Sequence, residues 1–411
     1  MVSRAEVLQL SLGRCLAGLV LALVAGCSSS TTAPAPEHVI RVPADHPTIQ
    51  AALDACADGD TVLVAAGTYT GPANRVLDFA GKSLVLMGAG RSGDVVIDCG
   101  GENCGFHFHS GEDSSSVVIG INVINGAGWD YGGAVLCEGA SPRFVECSFS
   151  YCMAGFSQGG AIACVGGSPT FVSCVIDTNG PGRTGGGGAG AYLVDSQARF
   201  VECVFSRNAH PDEAGAVQCD ESAAVFESCI FWRNMACNGA AVSCHNSPAQ
   251  FSRCTFVSNR GYNRGGAVWC DGPEAPSFVE CTFVHNHAAN GSALCCECED
   301  ASPSVLNTVM AFGSSRPVVC WGTGAPDITH CVVFGNAASD SLCGSHHDNL
   351  FCNPRLCDVA QPALGVAFDS PCLAQNNAWA EQVGAYTGGC SACVRSPGQG
   401  DAPVALGALP N

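Results

Sequence analysis

Hydrophobic and polar positions change rhythm along this chain, and the changes mark its elements. His38-Val39-Ile40-Arg41-Val42 alternates with a period of two and predicts a strand. From residue 48 the period lengthens. Ile49, Ala52, Leu53 and Cys56 fall at i, i+3, i+4 and i+7, the single apolar stripe of a short helix. Asp45 or Thr48 is placed to cap it, with Pro47 near its first turn. Asp58-Gly59-Asp60 ends it, and Thr61-Val62-Leu63-Val64 is the next strand.

From about residue 130 two ladders repeat in step. The motif Gly-Gly-Ala-Val-x-Cys places its last position at Cys137, Cys164, Val194, Cys219, Cys244, Cys270, Cys296 and Cys320. The motif Phe-x-x-Cys-x-Phe places its cysteine slot at Cys147, Cys174, Cys203, Cys229, Cys254, Cys281, Thr308 and Cys331. Steps near 25 residues are too short for a helical pair with loops and suit one coil of three short strands. Read as one strand, Phe144–Phe149 puts Cys147 and Phe149 on one face and Glu146 and Ser148 on the other. The outward slot then runs Glu146, Ser173, Glu202, Ser228, Arg253, Glu280. Most coils turn at Asn179, Asn208, Asn234, Asn259, Asn286 or Asn336. Asparagine tolerates the left-handed backbone of a corner, and its amides can bond from rung to rung. The fold class that follows is all-β, a single-stranded parallel β-helix (solenoid) with a short N-terminal capping helix. The expected division is a β-helix over 38–388 (cap 38–70, regular repeats 130–340, C-terminal coils 341–388) and a disordered tail over 389–411.

The string Ile40-Arg41-Val42-Pro43, Pro47-Thr48-Ile49-Gln50-Ala51-Ala52, Gly59-Asp60-Thr61-Val62, Gly67-Thr68-Tyr69 closely resembles the opening of pectin-lyase-like right-handed β-helix proteins. That resemblance implies a right-handed coil whose open end is plugged by the helix. Phe256-Val257-Ser258-Asn259 followed by Gly265-Gly266-Ala267-Val268 resembles the paired repeats of polymorphic outer membrane proteins, which are surface β-helices. Asn349–Pro354, Asp369–Cys372 and Gly384-Ala385-Tyr386 resemble the closing segment of exported β-helix proteins.

Composition adds a compartment. The chain holds 29 cysteines, the signature of export to an oxidising environment. Residues 1–26 carry Arg4, Arg14 and the apolar run Leu16–Val24, too short to span a membrane: a signal peptide. Val24-Ala25-Gly26-Cys27 resembles the bacterial lipoprotein processing box, which implies cleavage before Cys27 and a lipid anchor on its sulfur. Residues 27–37 then form a tether, and Ser28 favours the outer membrane by family analogy. The net charge of −19 opposes nucleic acid and anionic lipid surfaces as partners. The expected state is a monomer.

Candidate chemistry lies on one outward row, the position after each first-ladder cysteine: Glu138, Val165, Asp195, Asp220, His245, Asp271, Glu297. Asp195 and Asp220 one rung apart have the spacing of a retaining glycosidase pair. Asp220 and Asp271, two rungs apart, lie near the upper limit for an inverting pair. Asp220, Asp271 and Glu297 are also the candidate ligands for Ca²⁺, though no cofactor is required. The commoner role for such a row is a solvated edge. Trp269, Trp232 and Tyr262 are candidate platforms for sugar stacking, with His245 beside them. With Lys82 the only lysine, a lyase base would be an arginine such as Arg233, Arg260 or Arg264. Gly-His-Gly, Asp-Asp and Arg-x-Lys motifs are absent, so no pectinase residue transfers. His107-x-His109 and His346-His347-Asp348 are weaker metal candidates. The ladder cysteines read as buried free thiols; Cys99 with Cys104, and Cys343, Cys352, Cys357 and Cys372, read as better disulfide partners. Cys295–Cys298 and Cys390-x-x-Cys393 lack four-ligand zinc spacing. The expected function is glycan or surface-polymer binding. The alternatives are a polysaccharide lyase or glycoside hydrolase, and a passive adhesive element.

Overall fold

The computed structural model describes residues 38–128, 132–154, 159–180, 187–297, 302–357 and 364–386. The lipidation site Cys27, the signal peptide, the tether and the tail at 389–411 lie outside them. Among the described residues no helix is long and apolar enough to cross a membrane.

Each coil contributes one short strand to each of three parallel sheets, of thirteen, eleven and nine strands. Strand Val135–Glu138 belongs to the nine-stranded sheet, Arg143–Val145 to the thirteen-stranded one and Ser148–Ser150 to the eleven-stranded one. The next coil repeats them in register: Cys137 pairs with Cys164, Phe144 with Phe171, Phe149 with Ile176. The rings show the rung spacing directly. Phe144, Phe171, Phe200, Phe226, Phe251 and Phe278 stack in a file with centroids 4.7–5.1 Å apart. A second file, Phe205, Phe231, Phe256 and Phe283, meets it edge-on.

The stretch Phe144–Phe149 is two strands meeting at a sharp corner, not one strand. The backbone turns at Glu146 (φ 53°), and its counterparts Ser173, Glu202, Ser228, Arg253 and Glu280 are left-handed too (φ 52–54°). A left-handed residue reverses the inside–outside alternation, so Phe144, Cys147 and Phe149 all point into the core. The asparagines correct a second expectation. The left-handed residue is the one before each of them, such as Thr178, Arg207, Arg233, Ser258 and His285 (φ 53–56°). The asparagines themselves are buried, and each binds the next. Nδ2 of Asn179, Asn208, Asn234 and Asn259 donates to Oδ1 of the asparagine one coil on, at 2.9–3.1 Å. Each Nδ2 also donates to a carbonyl one coil back.

The thiols are ordered in the same way. Cys174, Cys203, Cys229 and Cys254 each donate to the carbonyl of the ladder phenylalanine one coil back, Phe144, Phe171, Phe200 and Phe226, at 3.4–3.6 Å. They are free and fully buried, and burial pushes their pKa well above the usual thiol range. Cys320 is bridged to Cys343, and Cys357 is disulfide-bonded. Cys99, Cys104, Cys352 and Cys372, expected as disulfide partners, are free.

Helix α1 (Ile49–Ala55) covers the N-terminal end, burying Ile49, Ala52 and Leu53. Thr48 is its cap, accepting from the Ala51 amide at 3.3 Å. The far end departs from the expected further coils. Ser345–His347 adds one last strand to the thirteen-stranded sheet, and Leu350 bridges to Val332. The chain then folds back along the outside of the eleven-stranded sheet. Leu356, Leu364, Val366, Val383 and Tyr386 cover its apolar outer rows, including Trp232, Val257 and Val284. Ala385 N–H anchors the return by donating to Thr282 Oγ1 at 2.9 Å.

Candidate functional site

The links from the eleven-stranded to the nine-stranded sheet swing outward and stack on one another as a ridge. Met235–Asn238 pairs with Arg260–Arg264, and single bridges join Gly187 to Glu213, Glu213 to Asn238 and Arg264 to Asn290. The Gly-Gly motif lets each link return. Gly265 is left-handed (φ 58°), and a side chain on Gly266 would sit 2.5 Å from the Ser292 carbonyl oxygen. The ridge covers the first outward row of the nine-stranded sheet, leaving Gln218, Ser243 and Trp269 almost wholly buried.

The second outward row stays at the ridge's edge and reads Val165, Val194, Asp220, His245, Asp271, Glu297. Trp321 continues it, since its amide donates to the Cys296 carbonyl at 2.7 Å. Asp195 is not in this row. Leu193, not Val194, pairs with Cys164 and Cys219, so Val194 takes the slot beside Asp220. Asp195 falls on a left-handed turn residue (φ 48°). The motif match was one residue out of register there, and the retaining-type pair Asp195/Asp220 does not form.

Asp220 and Asp271 do flank a common point, but His245 fills it. Its Nδ1 lies 3.0 Å from Asp271 Oδ1 and its Nε2 3.1 Å from Glu213 Oε2, a ridge carboxylate. Burial disfavours the charged ring. The hydrogen bonds to Asp271 and Glu213, helped by the charges of Asp271 and Asp220, outweigh it and raise its pKa to about 10. The ring is therefore an imidazolium clasped between two carboxylates, not a base and not a stacking surface. Gln218 Nε2 donates to both oxygens of Asp220, at 3.0 and 3.1 Å. Arg264 Nη1 binds Glu297 at 2.6 Å, which ties up the candidate lyase base. Among the described residues no group of three or more His, Cys, Asp or Glu side chains is arranged to hold a metal ion. His107 bonds Glu138 at 2.7 Å and stacks on His109.

The aromatic candidates separate. Trp232 is 1% exposed beneath the returning C-terminal segment, and Trp269 is 6% exposed under the ridge with its ring edge-on to His245. Neither is open to a ligand. Tyr262 is 56% exposed on the ridge, and Arg260 lies over its ring at 5.2 Å. Trp321, 40% exposed, carries Arg264 over its ring at 4.5 Å. The sequence reading missed Trp321 and Glu213. Trp321 follows Cys320, so extending the ladder by one more step reaches it. Glu213 stands in a link, where no periodicity points to it.

Residues 89–283 match the family model described as right handed beta helix region. No curated protein matches the chain. It is similar to a mannuronic acid specific polysaccharide family 6 lyase from human gut microbiota, with 14% identity over 77% of this chain and 82% of that one and a TM-score of 0.37. It is also similar to pectate lyase Pel9A, with 14% identity over 70% and 77% and a TM-score of 0.40. ORF18 of Geobacillus virus E2 has 13% identity over 66% and 55%, with a TM-score of 0.37. The matched model and the coil of three parallel sheets coincide on one statement: this chain is built as a right-handed parallel β-helix.

Proposed function

We propose that the protein is an exported surface β-helix, anchored through a lipid on Cys27, that binds glycans or other surface polymers without cleaving them. The observation that carries this reading is the division of labour at the ridge edge. The charged groups are engaged with one another: His245 with Asp271 and Glu213, Gln218 with Asp220, Arg264 with Glu297. Two exposed rings, Tyr262 and Trp321, lie with them, each carrying an arginine over one face. Exposed aromatic rings offer flat apolar faces for stacking on sugars, while the charged groups of this row spend their interactions on one another and on Gln218. Calcium would have to displace the His245 imidazolium from Asp271 and the Arg264 guanidinium from Glu297, so added Ca²⁺ is expected to leave binding unchanged.

The test is a glycan array followed by titration calorimetry on the best ligand. Tyr262→Ala and Trp321→Ala are each expected to weaken binding roughly fivefold, on the scale of one lost ring contact of about 1 kcal/mol. No oligosaccharide is expected to be released from any bound polymer. Release that disappears in Asp220→Ala would overturn this reading in favour of a hydrolase or lyase. The anchor is tested separately: Cys27→Ser moves the protein from the membrane to the soluble fraction.

A further inference from the structure

Two of the solenoid's three outer faces are covered, one by the ridge and one by the returning C-terminal segment. The thirteen-stranded sheet carries no such cover among the described residues. Its outward row is aliphatic over six successive rungs, Leu63, Met87, Ile119, Val145, Val172 and Val201, each partly exposed. At the next rung Glu227 ends the row, held between Arg199 and Arg253 at 2.6 Å each.

The rows on either side carry opposite charge. On one side the rungs of Val145, Val172 and Val201 begin with Arg143, Thr170 and Arg199. On the other they end with the corner residues Glu146, Ser173 and Glu202. Each rung thus reads basic–aliphatic–acidic or hydroxyl–aliphatic–hydroxyl. Arg143 has no carboxylate partner among the described residues, and its Nε is buried without an acceptor.

This pattern is self-complementary under one symmetry. A two-fold axis parallel to the solenoid exchanges left and right but keeps the order of rungs. It lays aliphatic row on aliphatic row and the arginine row of one copy on the glutamate row of the other. An in-plane axis across the solenoid would set arginine on arginine. The geometry points to this face as the interface of a parallel homodimer, with Arg143 set against the partner's Glu146. Five rung intervals at about 4.8 Å give a strip about 24 Å long. Strands of three residues make it about 10 Å wide, an area well under the roughly 800 Å² per partner of standard interfaces, so the dimer is a reversible one. The net charge of −19 opposes association at long range, but salt screens it beyond about 8 Å while the facing pairs are in contact.

Sedimentation velocity on the full chain carrying Cys27→Ser, over a concentration series, tests this. A concentration-dependent dimer is expected, and Val172→Asp is expected to abolish it. Arg143→Glu and Glu146→Arg are each expected to weaken it at least tenfold, and the double reversal to restore it. The fold accepts both reversals: Arg253 occupies the corner slot of Glu146 at φ 52°, and Asp327 occupies the slot of Arg143. A monomer at every concentration, a dimer indifferent to Val172→Asp, or a double reversal no better than the single ones each overturns the proposal.

Discussion

Replacing Asn234 by alanine tests whether the asparagine file holds neighbouring coils together. Asn234 is fully buried. Its Oδ1 accepts from both the backbone N–H and Nδ2 of Asn208, at 3.1 Å, and its Nδ2 donates to Phe205 O and Asn259 Oδ1 at 3.0 Å. Alanine removes all four bonds. Two partners keep a second bond: Asn208 Nδ2 still donates to Ile176 O, and Asn259 Oδ1 still accepts from the Asn234 amide. The Asn208 N–H is left buried without an acceptor, at a cost of about 1–3 kcal/mol. With the weaker losses at the other groups the total is about 2–4 kcal/mol. Long solenoids need not unfold as one unit, so the measurement is native-state hydrogen exchange of the amides flanking residues 208 and 234, which reads the opening free energy locally. Exchange there is expected to quicken about 30- to 1000-fold. A change below about 1 kcal/mol with unaltered protection would refute the claim that the file bears stability.

The His245 ring is expected to stay protonated through neutral pH in its NMR spectrum and to titrate near pH 10. Because the folded pKa is the higher, its stabilising contribution is complete below about pH 6.5 and fades as the pH rises through about 10; Asp271→Asn should lower the titration, and an unchanged midpoint would contradict the bridge. Alkylation under native conditions followed by intact mass should spare the buried thiols of Cys147, Cys174, Cys203, Cys229 and Cys254 and reach the partly exposed Cys237 and Cys352, with the rest modified in denaturant. Trp232→Ala removes the largest side chain beneath the returning C-terminal segment. It should cost about 3–5 kcal/mol and expose residues 350–386 to limited proteolysis, while a protease-resistant variant would show that Trp232 does not hold that segment.

The coil itself was legible because its cause is periodic: cysteine and phenylalanine recur at nearly constant steps, and the helix announces itself by its 3.6-residue stripe over Ile49–Cys56. What the periodicity hid was the corner. A left-handed residue between Phe144 and Cys147 leaves both facing inward, and alternation alone reads this as one strand with Glu146 on its polar face. The shift at Leu193 was hidden for the same kind of reason: a valine in a cysteine slot satisfies the pattern one residue out of place. Half of the candidate site was readable. Asp220, His245, Asp271 and Glu297 do share a row, and Tyr262 is exposed. Trp269 reads as outward and Trp232 as near a turn, but what covers them comes from the ridge and from a segment about 125–155 residues further along the chain, neither of which any local pattern encodes.

The fixed register of the strands dictates where this chain can change length. Phe226 to Phe251 takes 25 residues and Phe171 to Phe200 takes 29, yet both steps advance the stack by the same single rung. Residues beyond the minimum cannot enter a strand without turning every following side chain over, so they are expelled sideways into the links. Insertions of a few residues therefore reshape the surface around Tyr262 and leave the spine untouched. Only the gain or loss of an entire turn lengthens or shortens the protein, in increments of about 4.8 Å.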